Sequence, residues 1–264
     1  MIISEETGFL MLCAAVRDTI GLNLESYKSK QLERRLFFFR QRYNIDSNAD
    51  LARRLKIDVE MRKHFADFIT INVTEFFRNA ERFEALRQRY LPVLLQQQPL
   101  NIWSAGCSNG AEVYTILLVL AELAPGSQHH ILATDIDEAS LAKAASGNYT
   151  AQEIKEVPQQ MRKRFFNEVN DSFTVLPQLR KQVQFKRHDL LRDPFPINMD
   201  LILCRNVVIY FTQETKTVLY RKFTKSLRPG GYLFIGATES IFEARSIGLR
   251  YVEPCFYEKP IHKA

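Results

Sequence analysis

Apolar residues recur at helical spacing through the first third of the chain. Leu32, Leu36, Phe39 and Tyr43 fall on one side of a 3.6-residue period, the pattern of an amphipathic helix. Residues 1 to about 95 contain only two glycines, Gly8 and Gly21, so few positions break the periodicity. The pattern predicts four or five helices here, with breaks near Gly21, Asn44–Asn48 and Ile57–Asp58. No clear strand signal precedes Pro99.

Beyond Pro99 short apolar runs alternate with helical stretches. Leu100–Ala105, His130–Thr134, Asp200–Cys204 and Tyr232–Gly236 read as strands, and Tyr251–Tyr257 as a final one. Ala111–Ala124 is periodic as a helix. Strands alternating with helices predict a doubly wound α/β sheet. Between Thr150 and Leu190 the pattern is less regular. Phe173–Leu176 and Val183–Lys186 are predicted to form a small hairpin inserted in the α/β unit.

Composition narrows the class. The 264 residues are 46% hydrophobic and 25% charged, as in an ordinary soluble protein with a sizeable core. The net charge of +6 favours an anionic partner: nucleic acid, anionic lipid or an acidic protein surface. Cys13, Cys107, Cys204 and Cys255 show no metal-ligand spacing and are expected to be free thiols in a reducing compartment. Glu5 and Glu6 stand where a secretion signal carries positive charge, and the apolar run Phe9–Val16 is too short to span a bilayer. A cytoplasmic protein without direct membrane insertion is expected.

Candidate chemistry begins at Ile102-Trp103-Ser104-Ala105-Gly106-Cys107-Ser108-Asn109-Gly110, a strand, a small-residue turn and a helix start. Ser104 stands where the dinucleotide fingerprint has its first glycine. Alone, a βα turn without any ligand accounts for it equally well. Asp135 ends the next strand, where a carboxylate accepts hydrogen bonds from ribose hydroxyls. The degraded phosphate turn argues against NAD and favours S-adenosylmethionine, which has a ribose and an adenine but no phosphate. Glu112 is a candidate to hold its cationic end, or simply a first-turn acid complementing the helix dipole.

Five stretches together resemble the chemotaxis receptor methyltransferases, the CheR family. They are Ile71-Asn72-Val73-Thr74-Glu75-Phe76-Phe77-Arg78, the turn from Ile102 through Thr115, Ile131–Asp137, Leu203–Phe211 and Pro229–Ser240. They follow the family's order over nearly the whole chain. The resemblance implies a Rossmann-like class I methyltransferase sheet with an all-α N-terminal domain and a small inserted β-subdomain at about 150–187. It implies a docking domain over 1–75, a linker and connecting helix over 76–98, and a catalytic domain over 99–264. Asn72, Thr74 and Arg78 fall on the family's linker motif over the cofactor. Glu112 and Asp135 fall on the positions for the methionine amino group and the ribose. Asp189 and Leu190 match an adenine-side pair, with Asp189 replacing the usual asparagine. Arg205 and Asn206 match another cofactor-contacting pair. Arg78 and Tyr210 fall on the two residues of the methyl-transfer centre. No metal is implied.

The resemblance also implies S-adenosylmethionine as cofactor, S-adenosylhomocysteine as product, and glutamate γ-methyl esters on methyl-accepting chemotaxis receptors. The enzyme would be a monomer recruited to membrane receptor arrays. Tyr27–Tyr43 holds six bases and one acid, Glu33, and Lys28, Arg35 and Arg42 recur every seven residues. A solvated surface explains that stripe in general. In the family the corresponding helix meets acidic receptor helices, which makes the three bases candidates for docking. Members that bind a receptor's C-terminal pentapeptide carry a longer, glycine-rich loop in the insert. Asn167–Ser172 is short and glycine-free, so a pentapeptide-independent enzyme is expected. A nucleic-acid methyltransferase is disfavoured because Cys204-Arg205-Asn206-Val207 lacks the proline-containing loop of amino-methylating enzymes, and no base-extrusion motif is present. A non-catalytic binding module is disfavoured by the presence of both Arg78 and Tyr210.

Overall fold

The computed structural model describes residues 4–69 and 74–261. They form two compact units. The first is helical: α1 (Glu5–Thr19), α2 (Ser29–Arg42), α3 (Asn48–Ile57) and α4 (Val59–Ile69). Helix starts follow local chemistry. Ser4 and Ser47 cap α1 and α3, each hydroxyl accepting a backbone N–H three residues on, Thr7 and Asp50, at 3.1 Å. The predicted apolar stripe of α2 is the packed one: Leu32, Leu36 and Phe39 are buried, and Phe39 meets Phe65 edge-on at 5.1 Å. Tyr210–Lys216, far along the chain, belongs to this unit. The Lys28 amide donates to the Tyr210 carbonyl at 2.9 Å, and the Thr212 amide to the Ser26 carbonyl at 2.9 Å.

The second unit opens with α5 (Ala80–Ala85) and α6 (Leu91–Leu94), joined by one π-helical stretch, Leu86–Tyr90. Its strands and helices then follow as β1 (Asn101–Ala105), α7 (Ala111–Leu123), β2 (His130–Asp135), α8 (Glu138–Ser146), β3 (Asn148–Thr150), α9 (Gln159–Phe165), β4 (Phe166–Val169), β5 (Ser172–Val175), α10 (Pro177–Arg180), β6 (Val183–Arg187), β7 (Met199–Cys204), α11 (Gln213–Ser226), β8 (Leu227–Ile235), β9 (Arg250–Glu253) and β10 (Phe256–Glu258). The seven-stranded sheet runs β6-β2-β1-β7-β8-β10-β9. Its first five strands are parallel, and β10 and β9 close one edge antiparallel. Strand order reverses between β1 and β7, so the crevice for a ligand lies beyond the carboxyl ends of these strands. Helix α7 is buried from Ala111 through Leu120, which is why its sequence is apolar all round.

Three expectations are corrected. Val183–Lys186 does not pair with Phe173–Leu176. It is β6, parallel to β2 from Ile131–Val183 to Asp135–Arg187, and it is an edge of the main sheet. Phe173 lies in β5, the centre of a separate three-stranded sheet, β3-β5-β4. The expected loop Asn167–Ser172 is mostly strand. The β4–β5 hairpin turns on Asn170 and Asp171, whose φ angles of 48° and 58° suit a two-residue primed turn. The predicted final strand is a hairpin, β9 and β10. Pro254 has no N–H for the ladder, and Cys255 turns left-handed at φ 77°, so Tyr251–Tyr257 cannot run straight through.

Candidate active site

The parallel strands end on polar groups that fit no core. Gly106 follows β1, with φ 81°, and a Cβ there would strike the Val207 side chain. The bare backbone lets the turns after β1 and β7 close on each other. The Gly106 and Cys107 amides both donate to the Thr134 carbonyl, at 2.8 and 2.9 Å, fixing this turn against β2. β2 ends at Asp135, which is buried. Its Oδ2 accepts the Ser108 amide at 2.8 Å and its Oδ1 the Asp137 amide at 3.0 Å. The Ile136 amide also favours its ionised form, and of about four acceptor positions on a carboxylate some capacity remains. Burial pushes the Asp135 pKa up, and the backbone donors only partly offset it.

Glu112, in the first turn of α7, is also buried. Its Oε1 accepts the Ser104 hydroxyl at 2.9 Å, and its Oε2 lies 3.5 Å from an Arg205 terminal nitrogen. Burial raises the Glu112 pKa, while the charges of Arg205 and Arg78 pull it back. Arg205 follows β7. It donates to the Arg78 carbonyl at 2.8 Å and to Asn79 Oδ1 at 2.9 Å. Its guanidinium lies over the Phe83 and Phe234 rings, 4.9 and 4.6 Å from their centroids. Asn206 takes a left-handed φ of 59° against Gly236, where a Cβ would come within 2.9 Å of the Asn206 amide. Glu239 Oε2 accepts the Gly236 amide at 2.5 Å.

The structure therefore gathers Arg78, Glu112 and Arg205 around one buried ion pair, with Asn206 beside Arg205 in the chain. It places Asp135 at the neighbouring strand end. Asp189 and Leu190 follow β6 on the far side of β2 and are buried. The Asp189 carboxylate faces its own loop, its Oδ1 accepting the Leu191 amide at 2.8 Å. Thr74 is half-buried, and Asn72 lies outside the described residues. Tyr210 groups with the helical unit. Of the docking bases, Arg42 is exposed and Lys28 is half-buried at the start of α2. Arg35 is half-buried with its guanidinium over Phe68 at 5.0 Å, and burial lowers its pKa.

Several contributors were not singled out from sequence. Ser104 looked like a degraded glycine of a phosphate turn, but it is a hydrogen-bond donor to Glu112. Asn79, Phe83 and Phe234 hold Arg205, and only their contact with it marks them. The buried cysteines Cys107 and Cys204 are pushed well above an ordinary thiol pKa by burial, so neither is an activated nucleophile.

The chain matches two parts of one family: "CheR methyltransferase, all-alpha domain" over residues 7–70 and "CheR methyltransferase, SAM binding domain" over residues 72–250. The chain belongs to the CheR methyltransferase family. It is 40% identical over 262 residues to a chemotaxis protein methyltransferase of Listeria monocytogenes, covering 98% of this chain and 100% of that one. Borreliella burgdorferi has a relative of the same description, 37% identical over 206 residues and covering 73% and 72%. Chemotaxis protein methyltransferase 1 of Pseudomonas aeruginosa is 33% identical over 238 residues, covering 84% and 86%.

As a CheR-family protein the chain is an S-adenosylmethionine-dependent methyltransferase, and the donor set fits that cofactor. Glu112 offers a buried carboxylate for an ammonium. Asp135 offers unused acceptor capacity for ribose hydroxyls. Arg205 Nε is buried without a hydrogen-bond partner among the described residues. Among the described residues no helix is long and apolar enough to cross a membrane.

Proposed function

We propose that this chain esterifies glutamate side chains on chemotaxis receptors, the substrate class that its relatives' descriptions suggest. The observation that carries the reading is the buried Glu112–Arg205–Arg78 cluster beside Asp135 at the strand ends. Bound S-adenosylmethionine supplies an electrophilic methyl group on a cationic sulfonium. Glu112 would hold its ammonium and Asp135 its ribose, with Asp189 and Leu190 on the adenine side, and Asn72, Thr74 and Asn206 as further cofactor contacts that the resemblance implies.

A glutamate acceptor, with a pKa of about 4.3, is already ionised at neutral pH, so no general base is required. The protein's task is alignment and exclusion of water. Arg78 pairs with the incoming carboxylate, and its charge is already felt at Glu112. Tyr210, which falls on the family's second methyl-transfer position, would supply a hydroxyl to the reacting centre. Arg78→Ala and Tyr210→Phe are therefore expected to lower the single-turnover methyl-transfer rate by about 100-fold or more, with cofactor affinity within a few-fold of wild type. Calorimetry with S-adenosylhomocysteine checks the second part. Abolished cofactor binding in both variants would contradict the assigned roles.

Docking runs through the basic helix α2, without a receptor tether, and the protein acts as a monomer in the cytoplasm at receptor arrays. The two-residue turn at Asn170–Asp171 leaves no loop to enclose an added peptide strand against β4. A receptor C-terminal pentapeptide is expected to show no binding by calorimetry at millimolar concentration. A micromolar dissociation constant would contradict tether independence.

A further inference from the structure

Helix α2 has two faces, and its own unit covers only one. Leu32, Leu36 and Phe39 are buried, but Phe37 and Phe38 are each 50% exposed. Their rings meet edge-on at 5.6 Å, and the Arg34 guanidinium lies over Phe38 at 5.7 Å from its centroid. Lys30, Arg34, Phe37, Phe38 and Gln41 recur at helical spacing, so they form one outward strip. All five are exposed, as is Arg42 beside them, and Glu33 is the acid that α2 contributes at its edge.

The strip is an aromatic pair inside a basic rim. Two adjacent phenyl rings left half exposed to water keep about half of their surface uncovered by this unit. Buried aromatics surrounded by charged residues are the usual energetic centre of a protein interface. The rim is cationic, so the surface it meets is anionic. A protein segment carrying the carboxylate acceptors of this enzyme has that charge, and a helical one also shows aliphatic side chains between its acids. Arg35, turned onto Phe68, does not reach this strip.

We infer that Phe37 and Phe38 are the hydrophobic anchor by which the helical unit grips the acidic helical segment bearing the acceptor glutamates. Lys30, Arg34 and Arg42 pair with carboxylates around them. The inference rests on the proposed glutamate-bearing protein substrate. The bases govern encounter and weaken with salt, whereas the aromatic pair governs residence and does not.

The test compares wild type, Phe37→Ser/Phe38→Ser and Lys30→Glu/Arg34→Glu on a soluble cytoplasmic receptor fragment, at low and high salt. All four positions are exposed, and thermal melts check that both variants fold. The aromatic variant is expected to raise KM for the fragment about tenfold or more at both salt concentrations, with kcat and S-adenosylhomocysteine affinity unchanged. The charge variant is expected to raise KM at low salt, and the difference should shrink at high salt. An unchanged KM in the aromatic variant overturns the anchor, and if the charge variant is still impaired the proposed substrate stands. If wild type transfers no methyl group to the fragment, the proposed substrate fails and the anchor with it. Binding of wild type, but not the aromatic variant, to phosphatidylglycerol vesicles, with KM for the fragment unaffected, would reassign the pair to a lipid surface and overturn the inference.

Discussion

Arg205→Ala is expected to destabilise the catalytic unit by about 3–5 kcal/mol, the cost of removing one partner from a buried ion pair. Its guanidinium neutralises Glu112, satisfies the Arg78 carbonyl and Asn79, and fills the space between Phe83 and Phe234. Truncation leaves the Glu112 carboxylate buried, with the Ser104 hydroxyl as a hydrogen-bonding partner and Arg78 as a nearby charge. At roughly 2–4 °C per kcal/mol for a domain of this size, the melting temperature should fall by about 6–20 °C. Arg205→Lys should recover little, because an ammonium cannot lie flat on two rings while reaching three acceptors.

The pH dependence separates charge from packing. Burial already holds the Glu112 pKa above its ordinary value of 4.5, and removing Arg205 takes away the largest opposing cause. A carboxyl raised in the folded state contributes stability below its unfolded pKa, and that contribution is lost as pH rises through the folded value. The deficit of Arg205→Ala should therefore be largest at neutral pH and shrink toward pH 4. Adding Glu112→Gln should recover part of it at neutral pH. Thermal melts across pH check both points, and a pH-independent deficit would mean that lost packing, not an unpaired charge, is responsible.

Asp135→Ala is expected to weaken binding of S-adenosylhomocysteine by about two to four orders of magnitude. Each hydrogen bond from a ligand hydroxyl to a buried carboxylate is worth about 1.5–3 kcal/mol, and two are expected here. The substitution also frees the Ser108 and Asp137 amides, so the turn after β1 loses an anchor. Asp135→Asn, which keeps one acceptor oxygen, should fall between. In wild type, affinity should decline as pH falls through the raised Asp135 and Glu112 values, because both must be ionised to hold the ligand. Ordinary carboxylates would keep affinity constant down to about pH 5. Calorimetric titration across pH measures this directly.

How much of this was legible depends on which physical signal each residue leaves in sequence. Helix α2 was legible because burial on one face leaves an apolar period, Leu32, Leu36, Phe39. The place of Asp135 at the end of β2 was legible because the apolar run His130–Thr134 stops on an acid. Strand β6 was misplaced because Val183, Phe185 and their neighbours form a half-exposed edge, and an alternating edge strand looks the same in a hairpin as in a large sheet. Ser104 was read as a missing glycine because its partner, Glu112, lies beyond the turn, in the first turn of α7. Arg205 carried no local signal of burial. Its partners Arg78, Asn79 and Glu112 are distant in sequence, and only the reversal of strand order at β1 and β7 brings the strand ends together. Arg35 shared a seven-residue spacing with Arg42, but spacing alone does not say which face a neighbouring helix covers.

The most direct test of the account is incubation of the protein with methyl-labelled S-adenosylmethionine and receptor-containing membranes, followed by mild base. Label on the receptor that is released as methanol is the predicted result, the signature of a carboxyl methyl ester. Base-stable label on the receptor, or label on nucleic acid instead, would contradict it.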